Sequence, residues 1–166
     1  MAKITFKGSP IETVGHLPAV GSSAPDFNLC GGDFSEVALS DFQGKTVVLN
    51  IVPSLDTSVC QESARRFNAI ATEVKGVVVM NISQDLPFAQ SRFCGSEGLE
   101  NVINLSTFRS PEFGEAYGVT IESGPLAGLL SRAVVLVDGE GKVLYTEQVP
   151  EIAQEPEYEA VLNQLD

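Results

Sequence analysis

The chain has 166 residues, 43% of them hydrophobic, enough to bury the core of one ordinary domain without disulfide or metal staples. Its 22 acidic residues against 10 basic ones give a formal charge of −12, a field that repels nucleic acid and anionic membrane surfaces. No apolar run approaches the ~20 residues that span a bilayer. The start, Met-Ala-Lys-Ile-Thr-Phe-Lys, shows neither the apolar stretch nor the small-residue cleavage site of a secretory signal. The expected location is therefore the cytoplasm, with neither nucleic acid nor membrane as a partner.

Alternation at residues 3–7 and 10–14, around Gly8-Ser9-Pro10, predicts a β-hairpin. Residues 15–26, rich in Gly, Pro and Ser, read as loop. Short strands are expected at Phe27 to Leu29 and Val37 to Leu39, around a turn at Gly31-Gly32. The β-branched run TVVLNIV, Thr46 to Val52, suits a central strand buried on both faces, and Pro53 ends it because proline cannot donate to a ladder. Ser58 to Val74 reads as a helix with Val59, Ala64, Phe67, Ala69, Ile70 and Val74 as its buried stripe, stopped by Gly76.

Val77 to Ile82 is a second buried strand, 86–94 a short helix before Gly95 and Gly98, and Val102 to Leu105 a short strand. Ser110-Pro111-Glu112 has the form of an N-cap, a first-turn proline and a helix start. Ala133 to Val137 and Lys142 to Val149 flank the turn Asp138-Gly139-Glu140-Gly141, and Pro156 to Leu165 forms a terminal helix. Strands alternating with helices, then a hairpin and a helix, predict an α/β fold with a mixed central sheet flanked by helices. No linker or repeat divides the chain, so 1–166 reads as a single domain.

Three cysteines, Cys30, Cys60 and Cys94, and one histidine, His16, make neither a disulfide framework nor a zinc site, and there is no C-x-x-C pair. The thiols are then buried and inert, or reactive. Cys60 is singled out by position. Pro53-Ser54-Leu55-Asp56-Thr57-Ser58-Val59-Cys60 joins the end of a buried strand to the first turn of a helix. Unpaired N–H groups and the helix dipole at that end favour a thiolate, the nucleophilic form of cysteine. Thr57 can place a hydroxyl near the same sulfur. Gly44-Lys45-Thr46 lacks the earlier glycine of a phosphate loop, and the Asp138 to Gly141 turn is too short to bind calcium.

The spacing P-x-x-x-T-x-x-C resembles the peroxiredoxin signature. PSLDTSVCQESARRFN at 53–68, APDF at 24–27, SRAVVLVD at 131–138 and the N-terminal hairpin are together similar to the thiol peroxidase branch of that family, the atypical two-cysteine members. The resemblance covers essentially the whole chain. It implies a thioredoxin fold of peroxiredoxin type, with residues 1–17 as a hairpin extension. It also implies reduction of hydrogen peroxide and organic hydroperoxides without metal, haem or flavin. By the same resemblance Cys60 matches the peroxidatic cysteine and Thr57 the hydroxyl that bonds thiolate and peroxide. Pro53 matches the residue that shields the pocket, Arg132 the guanidinium that holds the thiolate and polarises the peroxide, and Cys94 the resolving cysteine.

An intramolecular Cys60–Cys94 disulfide, recycled by thioredoxin, and a homodimer follow as implications of the family. Because two cysteines on separate helices need not lie within the ~7 Å that a disulfide requires, local unfolding of one or both segments is expected during turnover. Cys30 and His16 have no matching role. Three rivals differ in chemistry. A disulfide oxidoreductase would need its second cysteine where Ser63 stands. A redox sensor would use the same residues without turnover, and an acidic binding module would not need Cys60.

Overall fold

The structure, a computed structural model, describes residues 2–98 and 101–165. In chain order the elements are β1 (Lys3–Phe6), β2 (Ser9–Glu12), β3 (Asn28–Cys30), β4 (Glu36–Ala38), a 3-10 turn at Leu39–Phe42, β5 (Thr46–Ile51), α1 (Ser58–Glu73), β6 (Val77–Ser83), α2 (Pro87–Glu97), β7 (Val102–Ser106), α3 (Glu112–Ala116), β8 (Ala133–Val137), β9 (Val143–Gln148) and α4 (Tyr158–Gln164). β1 and β2 form the separate hairpin. The other strands make a seven-stranded sheet in the order β4-β3-β7-β6-β5-β8-β9. β5, β6 and β7 are parallel, and β8 returns antiparallel against β5.

The central strands are valine- and isoleucine-rich because both sheet faces are covered. On one face Val48, Val79, Val134 and Leu136 meet Phe67 and Ile70 of α1 and Tyr158 and Val161 of α4. On the other, Leu49, Ile51, Met80, Ile82 and Leu105 meet Phe27, Phe113 and Tyr117. A smaller cluster at the end of β5 gathers Val52, Leu55, Cys60, Ala64 and Cys94. Among the described residues no helix is long and apolar enough to cross a membrane.

Four expectations shift. The hairpin turns at Lys7-Gly8, with φ of 50° and 83°, so Ser9 and Pro10 belong to β2. Two positive φ values match the twist of a two-residue hairpin. Pro10 is tolerated because it faces Thr5, whose N–H turns outward to Pro150 O at 2.8 Å. On α1 the buried stripe is Cys60, Ser63, Ala64, Phe67 and Ile70; Val59 is half-buried and Ala69 exposed. The face is thus rotated toward small residues that let the helix sit close to the sheet.

α2 runs through Gly95 to Glu97, and Gly98, at φ 66°, closes it with its N–H on Cys94 O. That left-handed position is the one glycine serves without strain. Pro111 has helical dihedrals, but the Ser110 hydroxyl donates to Asn28 O rather than capping α3.

Candidate active site

The loop after Pro53 is held by Asp85, just past the end of β6. Its carboxylate accepts from the Ser54 hydroxyl at 2.7 Å, the Leu55 N–H at 2.6 Å and the Ser83 hydroxyl at 2.8 Å. The loop delivers Thr57 as the N-cap of α1. Its Oγ1 accepts from the Cys60 N–H at 3.4 Å and donates to Ser54 O at 3.1 Å. The first helical turn is therefore fixed on both sides. The Cys60 N–H, one of the donors expected to face a thiolate, is engaged by the cap.

Pro53, Thr57 and Arg132 line one cavity of about 320 Å³, whose remaining walls are largely apolar: Phe6, Val59, Leu126, Leu129 and Ile152. Phe6 comes from the N-terminal hairpin, a contribution the sequence pattern does not reveal. The hairpin is seated there by Ile4 and Ile11 packing on Ile121 and Ile152. Glu151 adds polar anchors. Its carboxylate accepts from the N–H groups of Gly8 at 2.8 Å, Lys7 at 3.1 Å and Ala153 at 2.8 Å, and from the Thr5 hydroxyl at 3.0 Å. Those donors, Ala153 and Gly8 foremost, hold its carboxyl down at about 2.

Arg132 precedes β8 and is 2% exposed. Its Nε donates to Ile152 O at 2.8 Å, while Nη1 is buried without a hydrogen-bond partner. Among the described residues no carboxylate lies within ion-pair distance of it. A buried guanidinium in this condition costs several kcal/mol unless negative charge reaches it. No hydrogen bond joins Arg132 to Cys60 among the described residues.

Cys60 has no exposed surface and shares its apolar cluster with Cys94. All three cysteines are free thiols. Burial pushes the Cys94 thiol up, against a hydrogen bond from Asn104 Nδ2 to its Sγ at 2.9 Å. Cys30 lies in β3, paired opposite Ser106, outside that cluster. His16 lies against Gly118 and is not part of the cavity lining. Among the described residues no group of three His, Cys, Asp or Glu side chains is placed to hold a metal ion.

Behind the cysteines is a polar row that sequence reading missed. Asn50, Asn81 and Asn104 stand in register on β5, β6 and β7. The sequence signal is an asparagine interrupting each of three apolar strands: TVVLN, VVVMN and VIN. Asp85 and Ser54 were missed as well, since nothing local marks their pairing.

Three comparisons bear on this arrangement. The Redoxin family model matches residues 19–162. The chain is 58% identical over 165 residues to a thiol peroxidase of Mycobacterium tuberculosis, covering 99% of both chains. Among solved structures, a peroxiredoxin-like protein from Aquifex aeolicus superposes with a TM-score of 0.93 at 42% identity, covering 99% of this chain and 96% of that one. A thiol peroxidase from Chromobacterium violaceum superposes at 0.87 with 24% identity, over 98% and 94% of the two chains, a likeness of fold. The fold is thus the peroxiredoxin type of thioredoxin fold, with an added N-terminal hairpin. By family model and by full-length identity, the chain belongs to the Redoxin family and, within it, to the thiol peroxidase branch of the peroxiredoxins.

Proposed function

We propose that this peroxiredoxin-type enzyme divides thiol-dependent peroxide reduction between two cysteines: Cys60 attacks the hydroperoxide and Cys94 resolves the product. The observation that carries the reading is Arg132, a buried guanidinium with an unpaired Nη1 and no carboxylate, in the wall shared by Pro53 and Thr57.

The Cys60 thiolate attacks one peroxide oxygen in line. An S–O bond forms as the O–O bond breaks, and the leaving alkoxide takes up a proton to become alcohol, or water from hydrogen peroxide. Charge moves from sulfur to the departing oxygen. A fixed donor such as Arg132 Nη1 stabilises that transition state more than the ground state. Thr57 supplies a hydroxyl to the same path, and Pro53 limits the access of water. The apolar walls at Phe6, Leu126, Leu129 and Ile152 favour an organic hydroperoxide.

Attack leaves Cys60 as sulfenic acid, which condenses with the Cys94 thiol and releases water. The resulting Cys60–Cys94 disulfide is reduced by thiol–disulfide exchange, for which thioredoxin is the proposed partner. The small, odd number of cysteines supports a reducing, cytoplasmic setting. We further propose a single working domain over 1–166, assembled as a homodimer, which sedimentation would test. The reading as a whole is tested by NADPH consumption with thioredoxin, thioredoxin reductase and cumene hydroperoxide. Sustained consumption that disappears in Cys60→Ser supports it. Undiminished consumption in Cys60→Ser, or none in the wild type, overturns it.

A further inference from the structure

The asparagine row has a direction. Cys60 O is a carbonyl and can only accept, and it takes the Ser63 hydroxyl at 2.9 Å. With its proton engaged there, Ser63 Oγ accepts from Asn50 Nδ2 at 3.4 Å. That sets Asn50 with its amide nitrogen toward Asn81, whose Oδ1 it reaches at 2.9 Å. Asn81 Nδ2 must then face Asn104 Oδ1, at 3.3 Å. Asn104 is left with its own Nδ2 on Cys94 Sγ at 2.9 Å. From Asn50 onward each amide donates to the next and the last to the Cys94 sulfur on α2, while Asn50 also donates back to Ser63. Asn50, Asn81 and Ser63 are fully buried, and Asn50 Oδ1 goes without a partner. Two buried amides, a half-buried third and an unsatisfied oxygen are an expensive way to fill strands that valine would fill.

We infer that Asn104 is a catalytic residue of the resolving step, donating to the Cys94 sulfur as it becomes the thiolate that attacks the Cys60 sulfenic acid, with Asn81 and Asn50 as positioning residues that fix its amide. The inference rests on the resolving role proposed above for Cys94. In that step the Cys94 S–H gives up its proton and the new S–S bond forms. The S–O bond of Cys60 breaks, and the departing hydroxide leaves as water with that proton. No outside oxidant is needed. A thiol inside an apolar cluster is reluctant to ionise, and a polarised chain of amides ending on the sulfur offsets that reluctance. At the surface Arg65 on α1 joins these two helices by pairing with Glu97 on α2, and it also pairs with Glu62 on its own helix. The remaining titratable group in the cluster is Cys60 itself.

The test uses two variants, Asn104→Leu, which removes the donor, and Asn104→Asp, which keeps the shape and puts an acceptor in its place. In rapid-quench experiments with one equivalent of cumene hydroperoxide, Cys60 oxidation should proceed at the wild-type rate in both. Disulfide formation should slow about tenfold, the worth of a hydrogen bond to a charged group. In a Cys30→Ser, Cys60→Ser background, iodoacetamide should alkylate Cys94 along a pH profile displaced upward by either substitution, a readout that a purely structural role would not move. An unmoved profile together with an unchanged disulfide rate overturns the assignment. Cys94→Ser, run in parallel, keeps the two readings apart. Full turnover without Cys94 removes the resolving role, whereas loss of turnover beside unaltered Asn104 variants removes only the role of Asn104.

Discussion

α1 and α2 carry the two cysteines proposed to react, and they are held in opposite ways. α1 buries Phe67 and Ile70 against the sheet, with Tyr158 edge-on to Phe67 at 5.5 Å, and its first turn is capped by Thr57 and braced through the loop by Asp85. α2 buries Pro87, Gln90 and Cys94, while Phe88 beside them is 72% exposed. Its anchors are mostly polar: Gln90 on Ser83 and Leu105 O, and an exposed Arg65–Glu97 pair worth little in water. The helix that holds the proposed nucleophile is firmly held, as attack on peroxide needs donors fixed in advance. The helix that carries the second thiol is lightly held, which suits the proposed role of a thiol that ionises against Asn104 and then travels to the Cys60 sulfur. Segments with few buried apolar contacts are the first to open.

The sharpest way to break the comparison is at the nucleophile. Cys60→Ser should abolish peroxide reduction outright, while Cys30→Ser leaves it largely intact; the reverse outcome in a peroxide consumption assay would place the chemistry in β3. Arg132→Met comes next. Loss of one aimed donor should lower the second-order rate with peroxide by about 10²–10³. Because the guanidinium is a buried charge without a carboxylate, its removal should leave the melting temperature undiminished. A variant that kept its rate and lost stability would make Arg132 a structural residue.

These two effects differ in how readable they are from sequence. The Cys60 turn is legible because strand, proline, cap and thiol are contiguous, so local rules decide it. The buried central strands are legible for the same reason. The length of α2 is not, since Gly95 and an irregular apolar pattern hide a helix that is only lightly packed. The asparagine row is illegible in any one segment. It exists only when β5, β6 and β7 take a common register, which tertiary structure sets. The unpaired Nη1 of Arg132 likewise depends on Ile152, which arrives from a loop after β9.

A smaller effect tests α2 alone. Gly95 sits inside the helix with open space where a Cβ would go. Gly95→Ala should stabilise the helix by about 0.5–1 kcal/mol and so slow disulfide formation about two- to fivefold, with Cys60 oxidation unchanged. Faster or unaltered resolution in rapid-quench measurements would mean that α2 need not unwind.

The smallest effect lies at the hairpin. The Glu151 carboxyl is depressed from 4.5 to about 2 by the N–H donors it receives. Its contribution to holding the hairpin is therefore complete above pH 4.5 and is lost as pH falls through about 2. Amide resonances of Gly8 and Ala153 should titrate in that range by NMR. A midpoint near the ordinary glutamate value would remove the anchor.

Hydrogen exchange read by mass spectrometry, comparing the reduced protein with the protein oxidised by one equivalent of peroxide, tests most directly whether α1 stays while α2 moves. Peptides spanning 87–97 should lose protection on oxidation, and those spanning 58–73 should keep it. Loss of protection in the first turn of α1 with 87–97 unaltered would contradict the account.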